Sequence, residues 1–227
     1  MKLRRLAAIL AIVVAVLIML PYAIVPFYRF VMPVSIPMMW RLATGARVER
    51  IVVPLGRIAP ALRLTVIAAE DGSFCHNPGI DLGEIRQALQ QSGENLDEAR
   101  GASTITQQTA KNLFLWEGHS VVRKVLEIPL ALWMTLVLPK RRILEIYLNI
   151  AEWGPNGEFG AEAGARFAFG TSAGALSLYQ AAELAAILPN PLQRSARSPS
   201  ALVRRLAGVY VRRAADFSGL DVCVRGP

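Results

Sequence analysis

AAEDGSFCHNPGID occupies residues 68–81, where an apolar helical run ends in two adjacent carboxylates and a short polar loop. The first of these carboxylates, Glu70, is the candidate catalytic base. A carboxylate at the C-terminal end of a helix opposes the helix dipole, which favours cations there. Such locally unfavourable placements are frequent at functional sites. An acidic pair at a helix end is also common as a solvated corner, so the meaning of Glu70 depends on the rest of the chain.

Hydrophobic residues make up 53% of the 227-residue chain, which is too apolar for an ordinary soluble domain. The excess lies in residues 6–25, an uncharged run long enough for a helix that crosses a bilayer. Lys2, Arg4 and Arg5 precede this run, and the positive-inside rule places them in the cytoplasm. A signal peptide begins similarly, but no small-x-small cleavage site follows here. We therefore expect an uncleaved single-pass anchor in the inner membrane, with the rest of the chain in the periplasm.

The part beyond the anchor is basic, with 22 Lys and Arg residues against 17 Asp and Glu residues. Its partners are expected to carry phosphate groups or to be anionic membrane lipids. The expected compartment argues against nucleic acid as a partner. Cys75 and Cys223 lie where disulfides form, and the sequence leaves open whether they are bridged. Since His76 and His119 are the only histidines, neither a histidine-based metal site nor a Ser-His-Asp triad is expected.

The outer part has a helical pattern from Pro60 onward, without internal repeats or βαβ alternation. We expect a basic stub and membrane anchor in residues 1–28, an interfacial linker in residues 29–59, and a mainly α-helical domain in residues 60–227. Residues 48–55 are a weak strand candidate within the linker, and the polar segment 92–100 is expected to form a loop. Helix starts are marked by capping signals at Asp81 with Glu84, Thr104 with Gln107, Ser120, Ser177 and Ser198.

The helix expected after the polar loop begins with a run of hydroxyl and amide side chains. Side chains of this kind hydrogen-bond sugars. The same composition is also typical of a capped helix start, so the run by itself leaves both interpretations open. The side chains of interest in this helix are Ser103, Thr104, Thr106, Gln107, Gln108, Lys111 and Asn112.

A cluster of opposite charges stands at the start of the next helix. Glu127 lies one helical turn from both Arg123 and Lys124. A surface ion-pair cluster is the simplest interpretation, but an apolar segment follows immediately, which places the cluster near a membrane surface. Lys111 and Lys140 add two further cations beside apolar segments. Several cations at a lipid surface would suit a lipid-linked phosphate or diphosphate.

In order and spacing, these segments resemble the successive motifs of the peptidoglycan glycosyltransferases of family 51. The resemblance covers residues 60–191. Its motifs are Glu70-Asp71-x-x-Phe74, the run 101–108, Arg123-Lys124-x-x-Glu127, Lys140-x-x-Ile-Leu-Glu-x-Tyr-Leu-Asn149, and a last block with Phe169-Gly170 and residues 183–191. The chain ends soon after this block and contains no Ser-x-x-Lys or Lys-Thr-Gly. It therefore resembles the monofunctional biosynthetic transglycosylases rather than the bifunctional penicillin-binding proteins.

The resemblance implies a lysozyme-like, mainly α-helical fold with a partly membrane-embedded subdomain. It implies polymerisation of lipid II into β-1,4-linked glycan strands, with inversion at the donor anomeric carbon and release of undecaprenyl diphosphate. The implied partners are lipid II, the growing strand, membrane lipids and other proteins of cell-wall synthesis and division.

The same resemblance assigns roles to residues. Glu70 would be the general base for the acceptor 4-hydroxyl, and Glu127 the second catalytic carboxylate, in the donor site. A divalent cation, Mg or Mn, is a candidate companion of the donor diphosphate, which the basic side chains would neutralise. The implied substrate-binding residues are Asp71, Phe74, Ser103, Thr104, Gln107, Gln108, Lys111, Asn112, Arg123, Lys124 and Lys140.

The loop after Phe74 departs from the family pattern, which has two residues, then His, then one residue and Gly. Here Asn77 occupies the histidine position, and His76 stands one place earlier. We therefore assign neither residue a catalytic role and expect a structural contact in the loop. The residues expected to be scaffold in the Lys-x-x-Ile-Leu-Glu helix are Glu145, Tyr147 and Asn149.

Two alternative functions remain at this point. A lysozyme-like lytic murein enzyme would use one carboxylate to cleave glycan, but it would need neither the anchor nor the cations. An inactive, membrane-anchored scaffold for cell-wall machinery would need no catalytic carboxylate, whereas Glu70 and Glu127 are both present.

Overall fold

This computed structural model of the protein describes residues 2–91, 103–116, 118, 120–216 and 219–225. The N-terminal helix, α1 (Lys2–Ile24), contains the uncharged run that predicts a membrane anchor. Within the part of the chain described, Arg4–Arg29 is the one stretch long and apolar enough to cross a membrane. Its large apolar side chains, such as Leu10 and Leu17, are exposed. An isolated apolar helix of this length suits a bilayer rather than a protein core.

Helices make up most of the remaining structure, which confirms the mainly α-helical fold. Two short strands, β1 (Glu49–Arg50) and β2 (Glu158–Phe159), pair in parallel. A 3₁₀ turn (Val25–Arg29) follows α1. The other helices are α2 (Ile36–Ala43), α3 (Pro60–Glu70), α4 (Leu82–Gln91), α5 (Ile105–Phe114), α6 (Val121–Val137), α7 (Lys140–Ile150), α8 (Ala161–Phe169), α9 (Leu178–Ile187) and α10 (Ala201–Asp216).

Most helix starts follow the predicted caps. Thr104 and Gln107 form both halves of a capping box at the start of α5, and Ser177 forms another with Gln180 at the start of α9. In each box two helix-end donors find side-chain acceptors, which fixes the direction in which the helix leaves the loop. The polar loop predicted at residues 92–100 lies outside the described residues.

The prediction for the last helix start is displaced by two residues. The hydroxyl of Ser200, not that of Ser198, accepts the backbone N–H of Val203, at 3.3 Å. Helix α10 therefore begins at Ala201.

The helices form two packed groups that meet at the end of α3. Helix α10 packs against α9 and α3, while α5 packs against α6 and α7. Asp71, the residue after α3, joins the groups because its Oδ2 accepts the backbone N–H of Ile105 at 3.0 Å. This bond brings the C-terminal end of α3 to the N-terminal end of α5.

The second half of the predicted linker belongs to the helical body. Glu145 on α7 accepts the backbone N–H of Leu55 at 2.8 Å. Asn149, on the same helix, accepts the N–H of Val53 at 2.9 Å and donates to its carbonyl at 2.9 Å. Residues 49–55 are thus bound to α7 instead of forming a separate interfacial segment. Glu145 and Asn149 have the scaffold role that the helix pattern predicts.

The two cysteines are bridged, which answers the question that the sequence leaves open. Cys75 and Cys223 form a disulfide with their Cα atoms 5.4 Å apart. A further bond from Arg141 Nη1 to the carbonyl of Val224, at 3.2 Å, holds the same C-terminal segment against α7. The loop after α3 is therefore fixed by the C-terminal segment of the chain.

Candidate active site

Glu70, the last residue of α3, forms a hydrogen-bonded series with one residue from α5 and one from α7. Gln108 Nε2 donates to Glu70 Oε2 at 2.7 Å, and the Tyr147 hydroxyl donates to Gln108 Oε1 at 3.0 Å. Because a phenol that donates must face the amide oxygen, the NH₂ end of Gln108 is directed at Glu70. The carboxylate of Glu70 is therefore held in a fixed orientation.

The pKa of Glu70 lies above its usual value, chiefly because burial penalises the charged form, with a further contribution from Asp71. The hydrogen bond from Gln108 and the charges of Lys111 and Arg194 act in the opposite direction. A carboxylate whose pKa is raised towards neutral pH is a stronger proton acceptor. Burial also raises the pKa of Tyr147 well above its usual value, so its hydroxyl stays a donor.

Asp71 supports the site from beneath instead of facing a ligand. It is 3% exposed, and in addition to its bond from Ile105 it accepts Asn77 Nδ2 at 2.8 Å and Ser73 Oγ at 3.3 Å. Burial raises the pKa of Asp71, and these hydrogen bonds oppose the rise. Its oxygens are thus occupied and shielded by the protein, and the substrate-binding role of Asp71 stays a prediction.

Lys140, the first residue of α7, lies against the other side of the same loop. Its Nζ donates to Asn77 Oδ1 at 3.0 Å and stands 4.6 Å from the centre of the Phe74 ring. Burial lowers the pKa of Lys140 to about 8, with Asp71 opposing the change. Phe74 itself is fully buried. The ring forms part of the core beneath the Lys140 ammonium, and its substrate contact stays a prediction.

At the start of α5 the capping residues are buried, whereas other side chains are partly exposed. Thr104 is 1% exposed and Gln107 is fully buried, and both are engaged in the capping box. Thr104 Oγ1 also donates to the carbonyl of Gly79 at 2.6 Å. These two residues fix the position of Ser103 and Gln108, which remain partly exposed. Their contact with a sugar stays a prediction.

Ser103 connects the base to the cations of α6. Its carbonyl accepts Gln108 Nε2 at 3.4 Å, while its hydroxyl accepts Lys124 Nζ at 2.6 Å. Burial lowers the pKa of Lys124 to about 8, helped by the charges of Arg123 and Lys111. A continuous series of contacts therefore runs from the carboxylate of Glu70 to the ammonium of Lys124.

The carboxylate of Glu127 is buried, and the cations Arg123 and Lys124 lie between it and solvent. Its side chain is 2% exposed and pairs with Arg123, and Lys124 Nζ stands 3.7 Å from its Oε2. Arg123 is itself 8% exposed and donates through Nε to the carbonyl of Gly118 at 2.9 Å. The role of Glu127 as the second catalytic carboxylate stays a prediction. The geometry assigns it to holding Arg123 and Lys124.

A cavity of about 190 Å³ lies beside the Glu70 series. Gln108 and Tyr147 form part of its wall, together with Lys111 and Asn112 from the next turns of α5. Lys111 acts electrostatically on both Glu70 and Lys124. Lys111 and Asn112 therefore lie at the cavity beside Glu70, and their contact with substrate stays a prediction.

The family model for transglycosylases matches residues 39–213 of this chain, which include α3 to α9 and every residue of the Glu70 series. The chain belongs to this family. The match begins inside the predicted linker, in agreement with the packing of residues 49–55 onto α7. The transglycosylase fold thus includes α2 and β1 as well as the later helices.

Alignments with relatives of this transglycosylase cover nearly its whole length. Proteins named biosynthetic peptidoglycan transglycosylase in Nitrobacter hamburgensis and Rhodopseudomonas palustris are 54% and 56% identical to it. Both alignments cover 93% of this chain, with 93% and 89% of the respective relatives. A protein of the same name in Agrobacterium fabrum is 45% identical, and the alignment covers 99% of each chain.

The side chains of the transglycosylase site do not suit a divalent cation held by the protein alone. Within the described residues, no three His, Cys, Asp or Glu side chains come together as a metal-binding group. The carboxylate of Glu127 is already engaged by Arg123 and Lys124. A divalent cation that accompanies the donor diphosphate stays a prediction.

Three residues at the site have roles that their sequence patterns do not reveal. Tyr147 is buried like a scaffold residue, yet its hydroxyl orients Gln108. Arg194, which donates through Nη1 to the carbonyl of Ala186 at 2.8 Å, adds positive charge near Glu70. No motif surrounds Arg194. Asn77 links Asp71 to Lys140. The departure of its loop from the family pattern is the sequence signal that marks this position.

Proposed function

We propose that the protein is a peptidoglycan glycosyltransferase that polymerises lipid II into β-1,4-linked glycan strands and releases undecaprenyl diphosphate. The observation that carries this proposal is the series of contacts from Glu70 through Gln108 and Ser103 to Lys124, which joins a base to phosphate-binding cations. Membership of the transglycosylase family and the names of its relatives support the same reaction.

Glu70 accepts the proton of the acceptor 4-hydroxyl as that oxygen attacks the donor anomeric carbon. The bond from this carbon to the diphosphate breaks on the opposite face, so the α-linked donor becomes a β-1,4 linkage. An alcohol is a poor nucleophile until its proton is accepted, and a positioned base typically contributes about 10²–10⁴-fold to the rate. The fixed orientation and raised pKa of Glu70 suit this step.

Cations stabilise the diphosphate as it leaves. Lys124 offers a partly exposed ammonium, and Lys140 offers another on the side of Asp71. With pKa values of about 8, both are mostly protonated at neutral pH. Lys111 contributes positive charge between Glu70 and Lys124. The carboxylate of Glu127, 3.7 Å from Lys124 Nζ, and the hydroxyl of Ser103 hold Lys124 in place. Fixed cations of this kind stabilise charge that develops in the transition state without reorganisation.

The exposed apolar surface fits a substrate that carries a lipid. Phe30, Trp40 and Leu136 are 83%, 70% and 76% exposed, and the apolar face of α1 is exposed as well. Membrane lipids would cover these side chains. The basic N-terminus would then lie in the cytoplasm and the transglycosylase domain in the periplasm, at the inner membrane, where other proteins of cell-wall synthesis and division are expected partners.

The test is polymerisation by the full-length protein in detergent micelles, with lipid II and with or without Mg²⁺ or Mn²⁺. Glu70→Gln is expected to lower the rate by about 10²–10⁴-fold. Glu84→Gln is the matched control, since Glu84 is also a partly buried carboxylate with a raised pKa. Anhydro-sugars released from glycan would identify a lytic enzyme, and a folded protein that yields neither product would identify a scaffold. Polymerisation that survives Glu70→Gln would exclude Glu70 as the base.

A further inference from the structure

The side chain of Asn77 makes four hydrogen bonds to groups of the candidate site and its loop. Its Nδ2 donates to Asp71 Oδ1 at 2.8 Å and to Ser73 Oγ at 3.0 Å. Its Oδ1 accepts the backbone N–H of Gly79 at 3.0 Å and Lys140 Nζ at 3.0 Å. Asn77 is 8% exposed. The amide therefore uses both of its donors and both of its acceptor positions in a largely shielded place.

The orientation of this amide follows from its partners. An ammonium and a backbone N–H only donate, so both must meet the oxygen, while the ionised Asp71 only accepts and must meet the nitrogen. Turning the amide over would place two donors against the NH₂ group and a carboxylate against the oxygen. The orientation seen is thus the one that satisfies all four groups.

The loop that carries Asn77 is fixed on both sides. Two residues before it, Cys75 is bonded to Cys223. Two residues after it, Gly79 has a φ of +111°, and a Cβ at this position would lie 2.5 Å from the carbonyl oxygen of Ala131 on α6. Only glycine permits this close approach to the helix. Asn77 therefore presents its oxygen to Lys140 from a rigid support.

We propose that Asn77 is a positioning residue that joins Asp71 to Lys140 and holds the Lys140 ammonium, charged and in place, for the donor diphosphate. This inference rests on the proposed function, because it concerns how a phosphate-binding cation of that reaction is held. Asn77 does not itself contact the reacting atoms. It acts by giving Lys140 an acceptor that does not titrate.

Several groups can influence the charge on Lys140. Asp71 is the charged group that favours its protonated form, while burial disfavours that form. The Phe74 ring, 4.6 Å away, also favours a cation. The oxygen of Asn77 adds a hydrogen bond to the charged form, which favours it further. The other titratable groups influenced by Asp71 are Glu70, Glu84 and Tyr147.

The experiment measures the titration of Lys140 directly. The full-length protein in detergent is acetylated competitively over a pH series, and the extent of labelling of each lysine is read by mass spectrometry. In Asn77→Leu, which removes the acceptor at similar volume, the pKa of Lys140 is expected to fall by about one pH unit. The pKa of Lys124, which does not contact Asn77, is expected to stay unchanged and serves as the internal reference in the same digest.

Two further variants separate positioning from folding. Asn149→Leu removes a fully buried amide of the scaffold and is expected to leave the pKa of Lys140 unchanged. Asn77→His is the milder change, since a neutral imidazole keeps one donor for Asp71 and one acceptor for Lys140. Its effect on Lys140 is expected to be smaller than that of Asn77→Leu. Circular dichroism checks that each variant is folded.

The outcomes are distinct. A fall in the pKa of Lys140 together with a matching shift of the basic limb of polymerisation to lower pH supports the proposal. An unchanged or raised pKa of Lys140 in folded Asn77→Leu overturns it, because Lys140 would then pair with Asp71 without help. If the unmodified protein makes no polymer, the proposed function fails. The titration of Lys140 still tests whether Asn77 keeps its ammonium charged.

Discussion

Replacing Gln108 by leucine removes the hydrogen bond donor that faces Glu70 while nearly preserving side-chain volume. The bond from Gln108 Nε2 to Glu70 Oε2, at 2.7 Å, favours the ionised carboxylate. Without it the pKa of Glu70 rises further, so less of the base is ionised at a given pH. The acidic limb of the pH–rate profile is therefore expected to move to higher pH.

The size of this shift follows from the energy of a hydrogen bond to a charged group, about 1.5–3 kcal/mol. Since one pH unit corresponds to about 1.4 kcal/mol, the shift lies between about one and two pH units. Glu70 is partly exposed, and solvent replaces some of the lost interaction. We therefore expect a shift of about one pH unit.

The assay is the initial rate of lipid II polymerisation by the full-length protein between about pH 4 and pH 9. Gln180→Leu is the matched control, because Gln180 is a partly buried glutamine in the capping box of α9. It is expected to leave the midpoint of the acidic limb unchanged. An unchanged midpoint in Gln108→Leu, or a move to lower pH, would refute the assignment of Gln108 as the group that holds ionised Glu70.

The remaining predictions concern the cations and the loop after α3. Lys124→Ala is expected to lower the polymerisation rate at least about tenfold with little change in thermal unfolding. The control Arg205→Ala, on the exposed face of α10, is expected to keep the normal rate. A rate loss that merely follows unfolding would show that Lys124 is structural. Gly79→Ala is expected to lower the free energy of unfolding by about 2–4 kcal/mol, because it combines positive φ with a clash against Ala131. Gly45→Ala, also at positive φ but with no atom within 4 Å of the added Cβ, is expected to cost only about 1 kcal/mol, and equal losses in thermal melts would contradict the clash.

Local sequence signals were sufficient for α1 and for most of the helices from α3 onward, whereas α2 lies in the stretch predicted as a linker. The capping boxes of Thr104 with Gln107 and Ser177 with Gln180 occur as predicted, since each depends on residues three positions apart. The uncharged run of α1 is likewise a local property of composition and length. Glu70 could be selected from the sequence because a carboxylate ends an apolar helix there.

The division between contacting and supporting residues depends on burial, which no local pattern contains. Phe74, Thr104 and Gln107 share motifs with Glu70 and Gln108, yet they are shielded beneath the site. Hydrogen-bonding capacity makes such side chains suitable for a sugar and for a cap alike. Which use applies is decided by whether the helix packed over them leaves room for a ligand.

The sequence by itself therefore determined that this chain is a mainly helical transglycosylase with an N-terminal helix long and apolar enough to cross a membrane, and that a carboxylate stands at the end of α3. These features depend on periodicity, composition and motif order along the chain. Only the tertiary structure decided that Asp71 ties α3 to α5 and that Glu127 lies under Arg123 and Lys124. It also decided that Asn77, in the loop after α3, accepts a hydrogen bond from Lys140. The bonds of Asp71 to Ile105 and of Asn77 to Lys140 join residues far apart in sequence, and the burial of Glu127, whose partners are one helical turn away, depends on the helices packed around it.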